Sequence, residues 1–168
     1  MERLDISGFD RSIYRKVKAN WDKVAKPLDS LGRFEEFLSR IGAIQGGDAP
    51  KVAKSRVIVC CADNGIVEEG VSQCGQEVTA ICAENIAGGR SSVAIMAQQA
   101  GVDVLCVDVG VNAKGPLQGV RDLKIRRGTR DFLKEPTMTA QETEKAIQTG
   151  IDLVKESLDA GYEILAIG

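Results

Sequence analysis

The sequence contains no histidine, which excludes the serine–histidine–aspartate and cysteine–histidine nucleophile systems and the paired-histidine zinc helix of metalloproteases. Any acid–base work within the chain therefore falls to carboxylates, lysine, tyrosine or cysteine. Long apolar runs are also missing. The longest, from Val57 to Ala62 and from Val104 to Val109, fall far short of the roughly 20 residues that cross a bilayer, so no membrane association is expected. Glu2, Arg3, Asp5 and Asp10 interrupt any apolar core behind Met1, which argues against a signal peptide there. Neither charge dominates: 22 Lys plus Arg face 24 Asp plus Glu, and without a tail of one sign nucleic acid is not an expected partner. The five cysteines, at positions 60, 61, 74, 82 and 106, form no CxxC pair and fall partly inside strand-like apolar runs. They lack the spacing of a zinc site and fit a reduced, cytoplasmic protein.

Two kinds of periodicity are present. Ile13, Val17, Trp21 and Val24 recur at helical steps behind Asp10, a candidate N-cap, in a helix that stops at Pro27. Ser30 precedes a second stripe, Phe34, Phe37, Leu38 and Ile41, that runs out into Gly46-Gly47 and Pro50. The two make a helical arm over residues 1–50 whose stripes are expected to be core. From residue 51 the pattern changes. Arg56–Ala62, Asp103–Asp108 and Ile164–Ile167 are short, continuous apolar runs of the kind buried on both faces of a parallel sheet. Between them lie helices around Val78, Ile81, Cys82 and Ile86, then Val93, Met96, Ala97 and Ala100, and, behind the capping-box pair Thr139 and Glu142, Ile147, Ile151, Val154 and Leu158. Val120–Ile125 reads as a short strand or a crossing loop. Alternation of strand and helix over residues 51–168 predicts an α/β domain with a parallel sheet and helices on both faces. A buried strand ending at Gly168 without its following helix suggests that the chain is cut off at its C-terminus.

Candidate chemistry gathers where strands end. Asp63 and Asp108 each follow a strand and precede glycine within two residues, which places both on the ligand-binding rim of a parallel sheet. Each either meets a ligand there or caps its loop by accepting backbone N–H groups. Gly88-Gly-Arg-Ser-Ser92 opens a helix and either holds a phosphate or is a plain helix break with a serine cap. Glu68 and Glu69 read as solvated loop acids.

Several of these segments resemble, in order, motifs of the nicotinate-nucleotide:dimethylbenzimidazole phosphoribosyltransferase family. They are Lys26-Pro-Leu-Asp-Ser-Leu-Gly32, Cys61-Ala-Asp-Asn-Gly-Ile66, Glu69-Gly-Val-Ser-Gln-Cys-Gly-Gln-Glu-Val-Thr79, Gly88-Gly-Arg-Ser-Ser92, Gln99-Ala-Gly101 and Val107-Asp-Val-Gly110. The resemblance covers about Lys16 to Gly168 and implies the family's N-terminal half. It implies a Rossmann-like sheet, a smaller helical domain that includes the N-terminal arm, and a homodimer when intact. It also implies transfer of phosphoribosyl from nicotinate mononucleotide to a benzimidazole-type base, giving α-ribazole phosphate for cobalamin. No metal or organic cofactor is implied. The family's glutamate base and a second substrate loop fall beyond Gly168, so no catalytic residue is expected here and the isolated chain is expected to be inactive. The substrate-binding residues implied are Asp63, Asn64, Ser72, Cys74, Gln76, Cys82 and Asp108. Asn64 stands where the family usually has histidine, and Cys74-Gly75 where it has an aromatic or serine followed by proline, so a different lower-ligand base is open. Two other readings compete: a non-catalytic base- or partner-binding protein derived from the family, and an unrelated Rossmann-type nucleotide module, which lacks its fingerprint here.

Overall fold

The first apolar run forms strand β1, Ser55–Ala62, the second forms β2, Asp103–Gly110, and the last forms β4, Ile164–Ile167. Of the segment 120–125 only Arg121–Asp122 is a strand, β3. In the computed structural model, which describes residues 8–168, these strands form one parallel sheet in the order β3-β2-β1-β4. Val57 stands opposite Val104 and Cys61 opposite Asp108. The chain thus moves outward from β1 to β3 and then returns past β1 to β4. This reversal is the switch point of a doubly wound sheet, and the carboxyl ends beside it are where such sheets bind ligands.

The strands alternate faces, as a two-residue period requires. Ile58 and Val107 point to one face, where they form the core with Leu153 of helix α5, Ala140–Asp159, and with Leu105, Val109 and Leu123. Cys61 and Cys106 point to the other, where the Cys106 thiol reaches the Ala83 carbonyl of helix α3, Glu77–Ala87, at 3.5 Å. Helix α4, Ser92–Ala100, starts from Ser91, whose hydroxyl accepts from the Ala94 N–H at 3.3 Å. Helix α5 begins in the capping box anticipated from Thr139 and Glu142. Its packing face differs from the apolar stripe, since Leu153 and Ser157 are buried while Ile147, Val154 and Leu158 are exposed. Ser157 accepts from Arg56 at 3.2 Å, and its small side chain lets the helix lie close to the sheet.

Contacts divide the chain into two compact units, the first ending at Ala53 and the second Lys54–Gly168. In the first unit, helix α1 is Arg11–Asp22, capped by the Asp10 carboxylate on the Ser12 and Ile13 N–H groups. It ends at Asp22 rather than at Pro27, because the chain turns through Lys23, and Val24 is 49% exposed. Helix α2 is Arg33–Gln45, and Gly32, not Ser30, stands at its N-cap. Here too the apolar stripe is not the buried one: Phe34 and Phe37 are exposed, while Glu35, Ser39, Gly42 and Ala43 are buried. Close approach explains the choice, since a Cβ on Gly42 would stand 2.8 Å from the Val17 side chain of α1. The buried Glu35 carboxylate is neutralised by Lys26 at 2.7 Å and Lys18 at 3.3 Å, and it accepts the Leu31 N–H. No helix among the described residues is long and apolar enough to cross a membrane.

Candidate functional site

At the carboxyl ends of β1 and β2 two buried carboxylates share one loop. Asp108 accepts the N–H groups of Gly110 and Val111 at 3.0 and 2.7 Å, and Asp63 accepts that of Asn112 at 2.7 Å. Three successive backbone donors are thereby satisfied, and both aspartates perform the loop-capping role, at 2% and 4% exposure. The second Asp108 oxygen lies 2.8 Å from the Lys124 ammonium, which also donates to the Val111 carbonyl. Charge on Asp108 is thus matched inside the wall of the site.

The fixed loop presents Asn112 outward, and Asn112 closes a polar clasp. Its amide donates to Gln76 Oε1 at 2.8 Å, while Gln76 Nε2 donates to the Asn64 carbonyl at 3.1 Å. One glutamine, at the start of α3, therefore ties the loops that follow β1 and β2. The β1 loop is also gripped from the other side. A Cβ on Gly65 would stand 2.6 Å from backbone atoms of Thr129, Arg130 and Asp131, and the Gly65 N–H donates to the Thr129 hydroxyl at 3.1 Å. Beyond it Glu68 and Glu69 are ion-paired rather than simply solvated: Lys134 holds them at 3.3 and 2.9 Å, and Asp131 at 3.0 Å. Hydrogen bonds to Glu69, Asp131 and Glu68 push the Lys134 ammonium further toward its charged form. The Asp131 carboxyl is held below the usual range by the Leu133 N–H first and by Lys134 after it.

Of the residues anticipated from sequence, Asp63, Asn64, Gln76 and Asp108 are brought together through residues 110–112. Ser72 and Cys74 are exposed and joined to each other, Cys74 N–H donating to the Ser72 hydroxyl at 3.3 Å. Cys82 is exposed on α3. No side-chain hydrogen bond or ion pair among the described residues links these three to the clasp. The residues that sequence reasoning missed are Asn112, Lys124 and Thr129. Each acts on a partner far along the chain, Asn112 being 49 residues from Asp63, and only the asparagine after the strand-ending glycine gave a signal.

Other candidate chemistry resolves into structure. Arg90 folds back to Asn85 Oδ1 at 3.0 Å, so the Gly88–Ser92 segment is a helix break with a serine cap. Cys61 and Cys106 touch at 3.6 Å, and this contact with burial pushes the Cys61 thiol up, away from a reactive thiolate. Among the described residues one carboxylate group, Asp22, Asp29 and Glu35, is close enough to hold a metal ion. The Lys18 ammonium already lies among them, at 2.6, 2.7 and 3.3 Å.

A family model described as "Phosphoribosyltransferase" matches residues 6–168. The chain is 39% identical over 163 residues to the nicotinate-nucleotide–dimethylbenzimidazole phosphoribosyltransferase of Clostridium acetobutylicum, covering 97% of this chain and 46% of that protein. The same enzyme of Geobacter metallireducens is 39% identical over 150 residues, covering 89% and 42%. The crystal structure of the Thermus thermophilus enzyme superposes with a TM-score of 0.86 at 33% identity, over 95% of this chain and 48% of that one. The chain thus spans a little under half the length of these relatives.

Proposed function

This chain belongs to the nicotinate-nucleotide–dimethylbenzimidazole phosphoribosyltransferase family, and from that premise we propose that the protein, at the length of its relatives, moves phosphoribosyl from nicotinate mononucleotide to 5,6-dimethylbenzimidazole or a related base. In this reaction a nitrogen lone pair of the base attacks C1′. The bond from C1′ to the nicotinate nitrogen breaks, its electron pair leaves with nicotinate, and the proton of the attacking ring passes to a general base. The product, α-ribazole phosphate, has inverted configuration at C1′ and supplies the lower-ligand nucleotide of cobalamin. The observation that carries the reading is the family match over residues 6–168, because it contains every rim loop that meets at the clasp.

The proposal gives this chain one wall of the substrate site. Asp63 and Asp108 act as posts that set the loop after β2, while Asn64, Ser72, Cys74, Gln76 and Cys82 border the substrates. The general base is a glutamate in the part of the relatives that this chain does not match. Such a base contributes typically about 10²–10⁴-fold, so the chain alone transfers little. The helical arm, residues 1–50, is assigned to a smaller helical domain, and the working protein to a cytoplasmic homodimer. Grafting this chain in place of the matching part of a full-length relative tests the reading. With both substrates supplied, chromatography and mass analysis should find α-ribazole phosphate, and a folded chimera that forms none would contradict it.

A further inference from the structure

On the β3 side of the rim, away from the switch point between β1 and β4, a cavity of about 260 Å³ opens between the loop after β2 and the segment that follows β3. Lys114, Gly115, Pro116, Asp122, Lys124 and Arg127 line it. Two of its cations, Lys114 and Arg127, form no ion pair among the described residues. Among the described residues every other lysine and arginine between positions 121 and 134 has a carboxylate partner: Arg121 with Glu156, Lys124 with Asp108, Arg126 and Arg130 with Glu142, and Lys134 with three acids. Arg127 has none. One of its N–H groups donates to the Lys114 carbonyl at 2.9 Å, which fixes the guanidinium against the loop. Its other donors, and the Lys114 ammonium, meet no acceptor among the described residues. Asp122, the one carboxylate on the wall, pairs with neither and accepts the Lys124 N–H.

We propose that this cavity binds a phosphate group. A guanidinium fixed by one donor presents the rest as a planar fork suited to two oxygens of an oxyanion, and a neighbouring ammonium adds a second positive charge. Lys124, held from below by buried Asp108, fixes the floor. The volume lies just below the usual range of ligand pockets, which suits a phosphate group on a sugar or mononucleotide end and not a dinucleotide. The site does not depend on the transfer reaction and stands or falls separately. The phosphate group comes either from a sugar or nucleotide ester or from free inorganic phosphate.

Amide NMR titration of the 168-residue chain tests the site, with inorganic phosphate, ribose 5-phosphate and ribose as separate arms. Saturable shifts confined to residues 113–115 and 122–127 are expected with both phosphates and absent with ribose. Tighter binding of the ester would identify an organic phosphate as the occupant, and equal binding would identify the phosphate group alone. Arg127→Glu should weaken binding by about tenfold or more, and Lys114→Glu by several-fold, in chains whose spectra stay dispersed. Raising salt from about 0.05 to 0.5 M should weaken it several-fold, because the exposed charges are screened. Absence of saturable shifts in those amides, or undiminished binding by folded Arg127→Glu chain, would overturn the proposal.

Discussion

Replacing Lys124 by methionine isolates the charge on which the rim depends. Asp108 is 2% exposed, and Lys124, 2.8 Å away with a side chain 16% exposed, is its counterion. Removing one partner of a buried pair costs about 3–5 kcal/mol, because the remaining charge is left uncompensated. Here the Gly110 and Val111 N–H groups still solvate Asp108 after the change, which places the loss toward the lower end, about 2–4 kcal/mol. Asp108→Asn should cost less, about 1–3 kcal/mol, since the amide oxygen can keep both N–H groups and the lysine can lean toward water. The double variant, with both charges gone, should be less destabilised than the two losses summed, by about 1–2 kcal/mol. Urea unfolding followed by far-ultraviolet circular dichroism measures all three. Fluorescence would not serve, because the one tryptophan, Trp21, lies in the first unit. Single variants within about 0.5 kcal/mol of the parent, or strictly additive losses, would refute the role given to this pair.

The first unit carries its own pH dependence. The Lys26 hydrogen bond holds the Glu35 carboxyl below its ordinary value of 4.5, so its contribution is present above that value and lost as pH falls through the lower folded value. Trp21, packed edge-on against Phe34, should report that acid transition, and Glu35→Gln should reduce the pH dependence in this window, leaving the part that comes from Asp10 and Asp48, whose carboxyls are also held low. Gly65→Ala should destabilise the second unit by about 1–3 kcal/mol and speed amide exchange at 128–131, because the added methyl meets backbone at 2.6 Å; unchanged exchange would contradict the packing. In the full-length chimera, Cys74→Tyr with Gly75→Pro, and separately Cys82→Gln, should shift the kcat/KM ratio between dimethylbenzimidazole and adenine by roughly ten- to two-hundredfold if these residues border the base. A ratio moved by less than about threefold would remove them from selection.

The strands were legible because an unbroken β-branched run such as Val57–Val59 has few alternatives to a buried parallel strand, and the parallel sheet followed from alternating strand and helix, while its strand order did not. The helix faces were legible only in part, through Val17 on α1 and Ala97 on α4. Periodicity marks the widest apolar stripe, yet these helices bury small residues: Ser39, Gly42 and Ala43 on α2, Ala83 on α3, Ala94 and Ala97 on α4, Ser157 on α5. Close approach of backbones, which no hydropathy pattern encodes, selects those faces. At the rim, the two aspartates were legible as strand-ending residues, but the loop they cap is defined by donors at 110–112, whose positions only the folded β2 loop gives. Lys124 and Asn112 were hidden for the same reason.

In the proposed reading the clasp between the β1 and β2 loops holds one wall of a phosphoribosyl-transfer site. The most direct measurement is kcat/KM for transfer from nicotinate mononucleotide in the chimera, with Gln76→Ala and Asn112→Ala made singly and together. A displacement of a supporting loop by about 1 Å can cost on the order of 10²-fold, so each single variant should lose about tenfold or more at unchanged Tm, and the pair no more than the larger single loss. Wild-type rates in all three folded variants would contradict the claim.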